Sequence, residues 1–169
     1  MPHITIRKIS EFRKVFTLEV TMPYYMWLPF SDCIDSLIVP EPEGLVRQGV
    51  FFLSDILKEK MEKDQRFTED DFDLMLHDHT QEYLLNELNF YADRYRKTGS
   101  EENRNADLSV LLSLIPANFL CTRKIIIRPS YIRSLECKRP YDDSDWRYMC
   151  RQLELVMNEN TEKDVKTHE

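Results

Sequence analysis

Residues 14–21 read KVFTLEVT, and Met22 extends the run. Val15, Thr17, Glu19 and Thr21 fall on one side of an extended chain, and Phe16, Leu18, Val20 and Met22 on the other. Strict period-2 alternation of this kind specifies a half-buried β-strand. It also constrains everything else. A strand with one apolar face needs partner strands for its backbone and another layer to cover the face. Pro23 ends the run, because proline has no N–H for a ladder. Upstream, HITIRKI (3–9) alternates through Ile4 and Ile6 and reads as a second short strand. Much later, CTRKIIIRP (121–129) carries three consecutive isoleucines, the pattern of a strand buried on both faces.

Between these runs the period changes to that of a helix. Leu45, Val46, Val50, Leu53, Ile56, Leu57 and Met61 follow helical spacing over 45–63, with Lys58, Lys60 and Lys63 at the C-terminal end. Thr68 and Asp71 start a second helix in TEDD. Its stripe runs from Phe72 through Met75, Leu76, His79, Tyr83, Leu84, Leu88, Tyr91 and Tyr95, and Gly99 stops it. Ser100 caps a third helix over 101–115, before Pro116. A short helix follows Ser130 to residue 138. A last one begins in DDSD (142–145), with Trp146, Met149, Cys150, Leu153, Val156 and Met157 on its apolar face. VPEPEG (39–44) is a rigid polar turn, and YYMWLPF (24–30) is an aromatic cluster broken by Pro29. The class this predicts is α+β: a small, mainly antiparallel sheet packed with several long helices. The 169 residues predict one domain over 1–157, followed by a disordered polar tail over 158–169.

Composition narrows the function. Three glycines are too few for a Gly-rich phosphate loop. The four cysteines, Cys33, Cys121, Cys137 and Cys150, contain no CxxC pair, so no structural zinc site is expected. Cys121 and Cys137 lie near arginines that would depress a thiol pKa, against the plainer reading of buried, inert thiols. No apolar run reaches the length of a membrane span and no leader pattern is seen. The chain therefore reads as cytoplasmic, with no membrane partner. His77 and His79 in HDHT are two apart, which on a helix turns them to different sides, so no metal is expected there. YYMWLPF could stack a base or a flavin, or simply fill a core. No nucleophile motif appears, and the catalytic residues are left unassigned.

One charge anomaly stands out. Between Thr122 and Arg139 six Lys/Arg face one Glu, a net +5 in a chain of net −7, so the remainder carries −12. An acidic body disfavours extended nucleic-acid binding. A local cluster of Arg123, Arg128, Arg133 and Arg139, with Ser130 opening a helix, still suits a phosphate. The plainer alternative is that these charges neutralise acidic neighbours in the fold or in an oligomer.

The order of features resembles the C-terminal half of the flavin-dependent thymidylate synthases, also called thymidylate synthase complementing proteins. IPANFLCTR (115–123), an apolar strand, and SLECKRPYDDSDWRYMCRQL (134–153) follow that family's Leu-Pro, Thr-Arg, strand, short helix and final helix. NELNFYADRYRKTGSEENRNADLSVLLSLIP (86–116) is similar to its long helix, turn and short helix. VFTLEVTMPYY (15–25) is similar to its early strand. By this resemblance Arg139, and more loosely Arg123, would hold a deoxyuridylate-like nucleotide, with Arg128 and Arg133 substituting for missing arginines. A flavin (FAD) would be the cofactor, reductive methylation the reaction and a homo-oligomer the assembly. The family's Arg-His-Arg run is absent. Its place reads MWLPFSDCIDSLIVPEPEG (26–44). RPS (128–130) replaces an Asn-Ala-Arg, and no Arg stands in VLLSLIP (110–116). The residues also allow a non-catalytic relative, or an unrelated α+β protein that binds a nucleotide or a protein partner.

Overall fold

The computed structural model describes residues 2–34, 49–73, 79–137 and 144–166, without the side chains of 32–34, 49–52, 79–80, 137 and 160–166. The elements run β1 (Thr5–Phe12), β2 (Val15–Pro23), α1 (Tyr24–Ile34), α2 (Gly49–Glu62), α3 (His79–Lys97), α4 (Glu101–Leu114), β3 (Leu120–Ile127), α5 (Tyr131–Cys137) and α6 (Ser144–Lys166). The class is α+β, with one three-stranded antiparallel sheet in the order β1-β2-β3. The chain divides into two compact units. One comprises 1–22, 26–46 and 122–169, and the other 23–25 and 47–121.

In the first unit the alternation in β2 does what it specifies. Phe16, Leu18, Val20 and Met22 are buried, while Val15, Thr17, Glu19 and Thr21 are half-exposed. β1 pairs antiparallel, Thr5 opposite Thr21 and Phe12 opposite Val15, with a bulge between Lys8 and Ser10. The two-residue turn Arg13–Lys14 has φ of 51° and 62°. Positive φ at both positions is the type I′ geometry, which matches strand twist but usually employs Asn-Gly. β3 alternates as well. Cys121, Arg123, Ile125 and Ile127 are buried, whereas Ile126 is 46% exposed. The expectation of burial on both faces is therefore corrected: β3 is half-buried. The face carrying Thr122 looks outward, and the Thr122 hydroxyl bonds that of Thr21 at 2.7 Å.

Helices cover the inner face. α1 was read as an aromatic cluster broken by Pro29, yet the helix runs through it. Pro29 has no N–H to give to the preceding turn, a local cost. Burial of Met26, Trp27 and Phe30 outweighs it, at about 1.5–3 kcal/mol per large side chain. Trp27 meets Phe30 edge-on at 5.5 Å, and Phe30 meets Trp146 at 6.4 Å. α6 turns Trp146, Met149, Cys150, Leu153 and Met157 inward, as its periodicity predicts. Its helical backbone continues to Lys166, into the segment read as a polar tail.

The second unit is helical. α2 buries Leu53, Ile56, Leu57 and Met61. The expected start of this helix at Leu45, and the turn at 39–44, lie outside the described residues. The helix expected to run on from Thr68 does not. Thr68 N donates to Asp71 Oδ2 at 2.8 Å, but the element is a single 3₁₀ turn, Glu69–Asp71. Phe72 then leaves in extended conformation to form a bridge with Phe119. The tertiary contact wins over the local signal: Phe119 lies 5.7 Å from Phe72 and 6.1 Å from Phe67, ring to ring. α3 accordingly begins at His79 and turns differently from the expected stripe. Leu88, Asn89 and Ala92 are buried, and Tyr83 is 67% exposed. Ser100 caps α4 as expected, its Oγ accepting from Asn103 N.

Three polar anchors hold the loop between α2 and α3. Arg96 donates from Nε to Met61 O at 3.1 Å and from Nη2 to Gln65 O at 2.6 Å. Lys60 pairs with Asp71 at 3.1 Å. Asn89 bonds both backbone groups of Phe67.

Candidate anion-binding site

Arg128, Ser130 and Arg133, three of the residues expected to grip a phosphate, sit around the passage from β3 to α5. β3 ends at Ile127, and Arg128 follows immediately. Pro129 cannot continue a ladder, and its ring fixes φ near the helical value. Tyr131 N donates to Arg128 O at 2.9 Å and Ile132 N to Pro129 O at 3.2 Å, which closes the turn and starts α5. Ile132 and Leu135 face inward at i, i+3 spacing and are buried. That orientation is fixed from below, because Trp146 Nε1 donates to Leu135 O at 2.9 Å. Arg133 must then point outward, and it is exposed, as are Arg128 and Ser130.

Three of the expected residues thus share one short exposed segment: Arg128, Ser130 and Arg133. Arg123 does not belong with them. It is only 6% exposed, on the inner face of β3, and its Nη1 donates to Thr122 O at 3.3 Å. Five residues of extended strand separate it from Arg128, roughly 16 Å. Arg123 is therefore a core guanidinium. Arg139, together with Lys138, lies outside the described residues, as do His77 and the side chains of His79, Cys33 and Cys137.

The face outside this segment carries mixed charge. Glu136, exposed on α5, stands three residues from Arg133. Arg147 and Arg151 lie one turn apart on the exposed side of α6, which packs against α5. These two arginines stand outside the basic run 122–139. Their i, i+4 spacing on the side opposite Trp146 and Leu153 was the available signal.

Nothing in this segment looks like a nucleophile. Cys121 is fully buried and its Sγ is 3.8 Å from Phe119 O; Cys150 is buried too. Among the described residues no group of three His, Cys, Asp or Glu could share a metal ion. The Tyr24 phenol departs from its ordinary range: burial pushes its pKa up, and the neighbouring Cys121 adds to the shift. The aromatic stretch 24–30 lies in α1. Met26, Trp27 and Phe30 are in the core, Tyr24 and Tyr25 are half-buried, and Leu28 is exposed. No helix of the described residues is long and apolar enough to cross a membrane. Compared with known proteins, the chain matches no family model, no curated sequence and no solved structure.

Proposed function

We propose that this is a binding protein for a small phosphate-bearing ligand of the nucleotide type, held on the β3–α5 turn by Arg128, Arg133 and Ser130. The observation that carries the reading is the contrast within one basic run. Arg123 is spent in the core, while Arg128 and Arg133 are held outward by the burial of Ile127, Ile132 and Leu135. Two guanidiniums on a fixed turn can each present a planar fork to phosphate oxygens. The likeness in feature order to flavin-dependent thymidylate synthases supports a nucleotide as the ligand. The missing Arg-His-Arg run and the burial of Trp27 and Phe30 speak for binding without the flavin chemistry.

The test is titration calorimetry with deoxyuridine monophosphate, its uncharged nucleoside and inorganic phosphate. The nucleotide should bind and the nucleoside should not. Arg128→Ala and Arg133→Ala should each weaken binding about three- to tenfold. Affinity should fall with added salt, as for any exposed ion contact. Equal heats for wild type and both variants would remove the turn from the reading. Uptake of added FAD, seen as a yellow protein, would restore the flavin reading.

A further inference from the structure

The solvent side of α3 is unusual for a helix of a monomer. Tyr83 is 67% exposed, Phe90 is 54% exposed, and Arg94 is exposed beside them. Tyr83, Phe90, Arg94 and Lys97 recur at spacings of seven, four and three, which places them on one stripe. The opposite side, with Leu88, Asn89 and Ala92, is already buried. Large aromatics and arginine on one exposed strip are the residue types that anchor protein interfaces. Arg94 is also pre-positioned. Its guanidinium lies 5.8 Å from the centres of both the Phe90 and Tyr91 rings. Its Nε stands 3.6 Å from the buried carboxylate of Asp107 on α4.

The charges on this strip indicate what covers it. Glu82 and Glu87 lie on the N-terminal half, and Arg94 and Lys97 on the C-terminal half. A helix with one acidic and one basic end complements a copy of itself laid antiparallel. With the two-fold axis at Phe90, the rise of about 1.5 Å per residue fixes the pairing. Glu87 lies about 4.5 Å before the axis and Arg94 about 6 Å after it, and the helical turn puts both on the same flank. A two-fold antiparallel pair sets each flank against its own copy, so Arg94 meets Glu87 of the second chain. On the other flank Glu82, about 12 Å before, meets Lys97, about 10.5 Å after. Tyr83 reaches the same level as Lys97, Asn86 faces Asp93, and Phe90 packs on itself. No like charges oppose each other in this register.

We propose that α3 is a self-association surface, through which two copies of this chain form an isologous antiparallel dimer centred on Phe90. It is independent of the anion site. The interface is symmetric, so every contact off the axis occurs twice.

Sedimentation velocity over a range of concentration tests it. The wild type should dimerise, more tightly at low salt. Phe90→Asp should weaken the dimer about 100-fold or more, since it removes the central contact from both copies at once. Circular dichroism checks that the variant is folded. Glu82→Lys and Lys97→Glu, at exposed positions, give the sharper measurement. Each alone places like charges across both ends and should sediment as monomer at concentrations where the wild type is dimeric. An equimolar mixture of the two should form a heterodimer, because lysine at 82 then faces glutamate at 97 at one end and the native pair is kept at the other. A monomeric wild type, a dimer indifferent to Phe90→Asp, or a mixture that stays monomeric overturns the proposal. Capture of an unrelated protein in place of a second copy counts against it as well.

Discussion

Asn89 treats Phe67 as a strand would. Its Oδ1 accepts from Phe67 N at 2.8 Å, and its Nδ2 donates to Phe67 O at 3.0 Å, with both residues buried. A single carboxamide on α3 thereby satisfies both backbone groups of a residue in the loop after α2. That loop is irregular, and irregular backbone is kept in a core only when its polar groups are met. Removing the carboxamide leaves two buried backbone groups without it. Asn89→Leu should therefore cost about 2–4 kcal/mol in urea unfolding. Asn89→Asp keeps the acceptor and loses the donor, and should fall between wild type and Asn89→Leu.

The hairpin turn should improve on replacement. Arg13 and Lys14 both sit at positive φ, where a side chain crowds its own backbone. Arg13→Asn with Lys14→Gly supplies the pair that type I′ geometry favours. The expected gain is about 1 kcal/mol, since relief of strain is partly offset by the freedom glycine gives the unfolded chain. It would appear as a raised urea midpoint with an unchanged m value.

The Trp146 indole is a tie between helices as well as a core residue. Phenylalanine at this position fills most of the volume and leaves the Leu135 carbonyl without its donor. Trp146→Phe should destabilise by about 1–3 kcal/mol. The proposed anion site makes a further prediction, because α5 then loses its fixed seat. Ligand affinity at Arg133 should drop although Trp146 touches no ligand, and calorimetry on the folded variant reads this out.

Tyr24 predicts an alkaline limit. Its pKa is raised above the ordinary 10.0, first by burial of the phenol and then by Cys121. A group whose folded pKa is raised contributes its stability below the unfolded pKa and loses it as pH rises through the folded one. Stability should thus fall above pH 10.0 more steeply in wild type than in Tyr24→Phe. Denaturation midpoints of the two proteins across that range measure the difference, and the tyrosinate absorbance of Tyr24 should appear late in an alkaline titration.

The legible parts of this chain were those where one pattern decides alone. Val15–Met22 could only be a one-faced strand, and Ser100 and Gly99 punctuate two helices without help from distant residues. The misread parts depend on partners far away in sequence. Phe72 carries a helical signal but is drawn to Phe119, 47 residues on. Ile126 belongs to an apolar run but faces outward, because the sheet has one covered face only. Pro29 marks a break that core burial overrides. At the proposed anion site the basic run was visible, but its division was not. Arg123 and Arg128 look alike in a string of letters. The strand alternation that sends Arg123 inward separates them, and that alternation was masked by three consecutive isoleucines.

The bond between Thr21 and Thr122 joins residues 101 positions apart. Its consequence is a matter of timing during synthesis. The β1–β2 hairpin is complete as soon as residue 23 has been made, but β3, which closes the other side of β2, arrives about 100 residues later. At the usual 5–20 residues per second, that side of β2 waits roughly 5–20 s. Through that interval the nascent chain carries an open strand edge above four apolar side chains, Phe16, Leu18, Val20 and Met22.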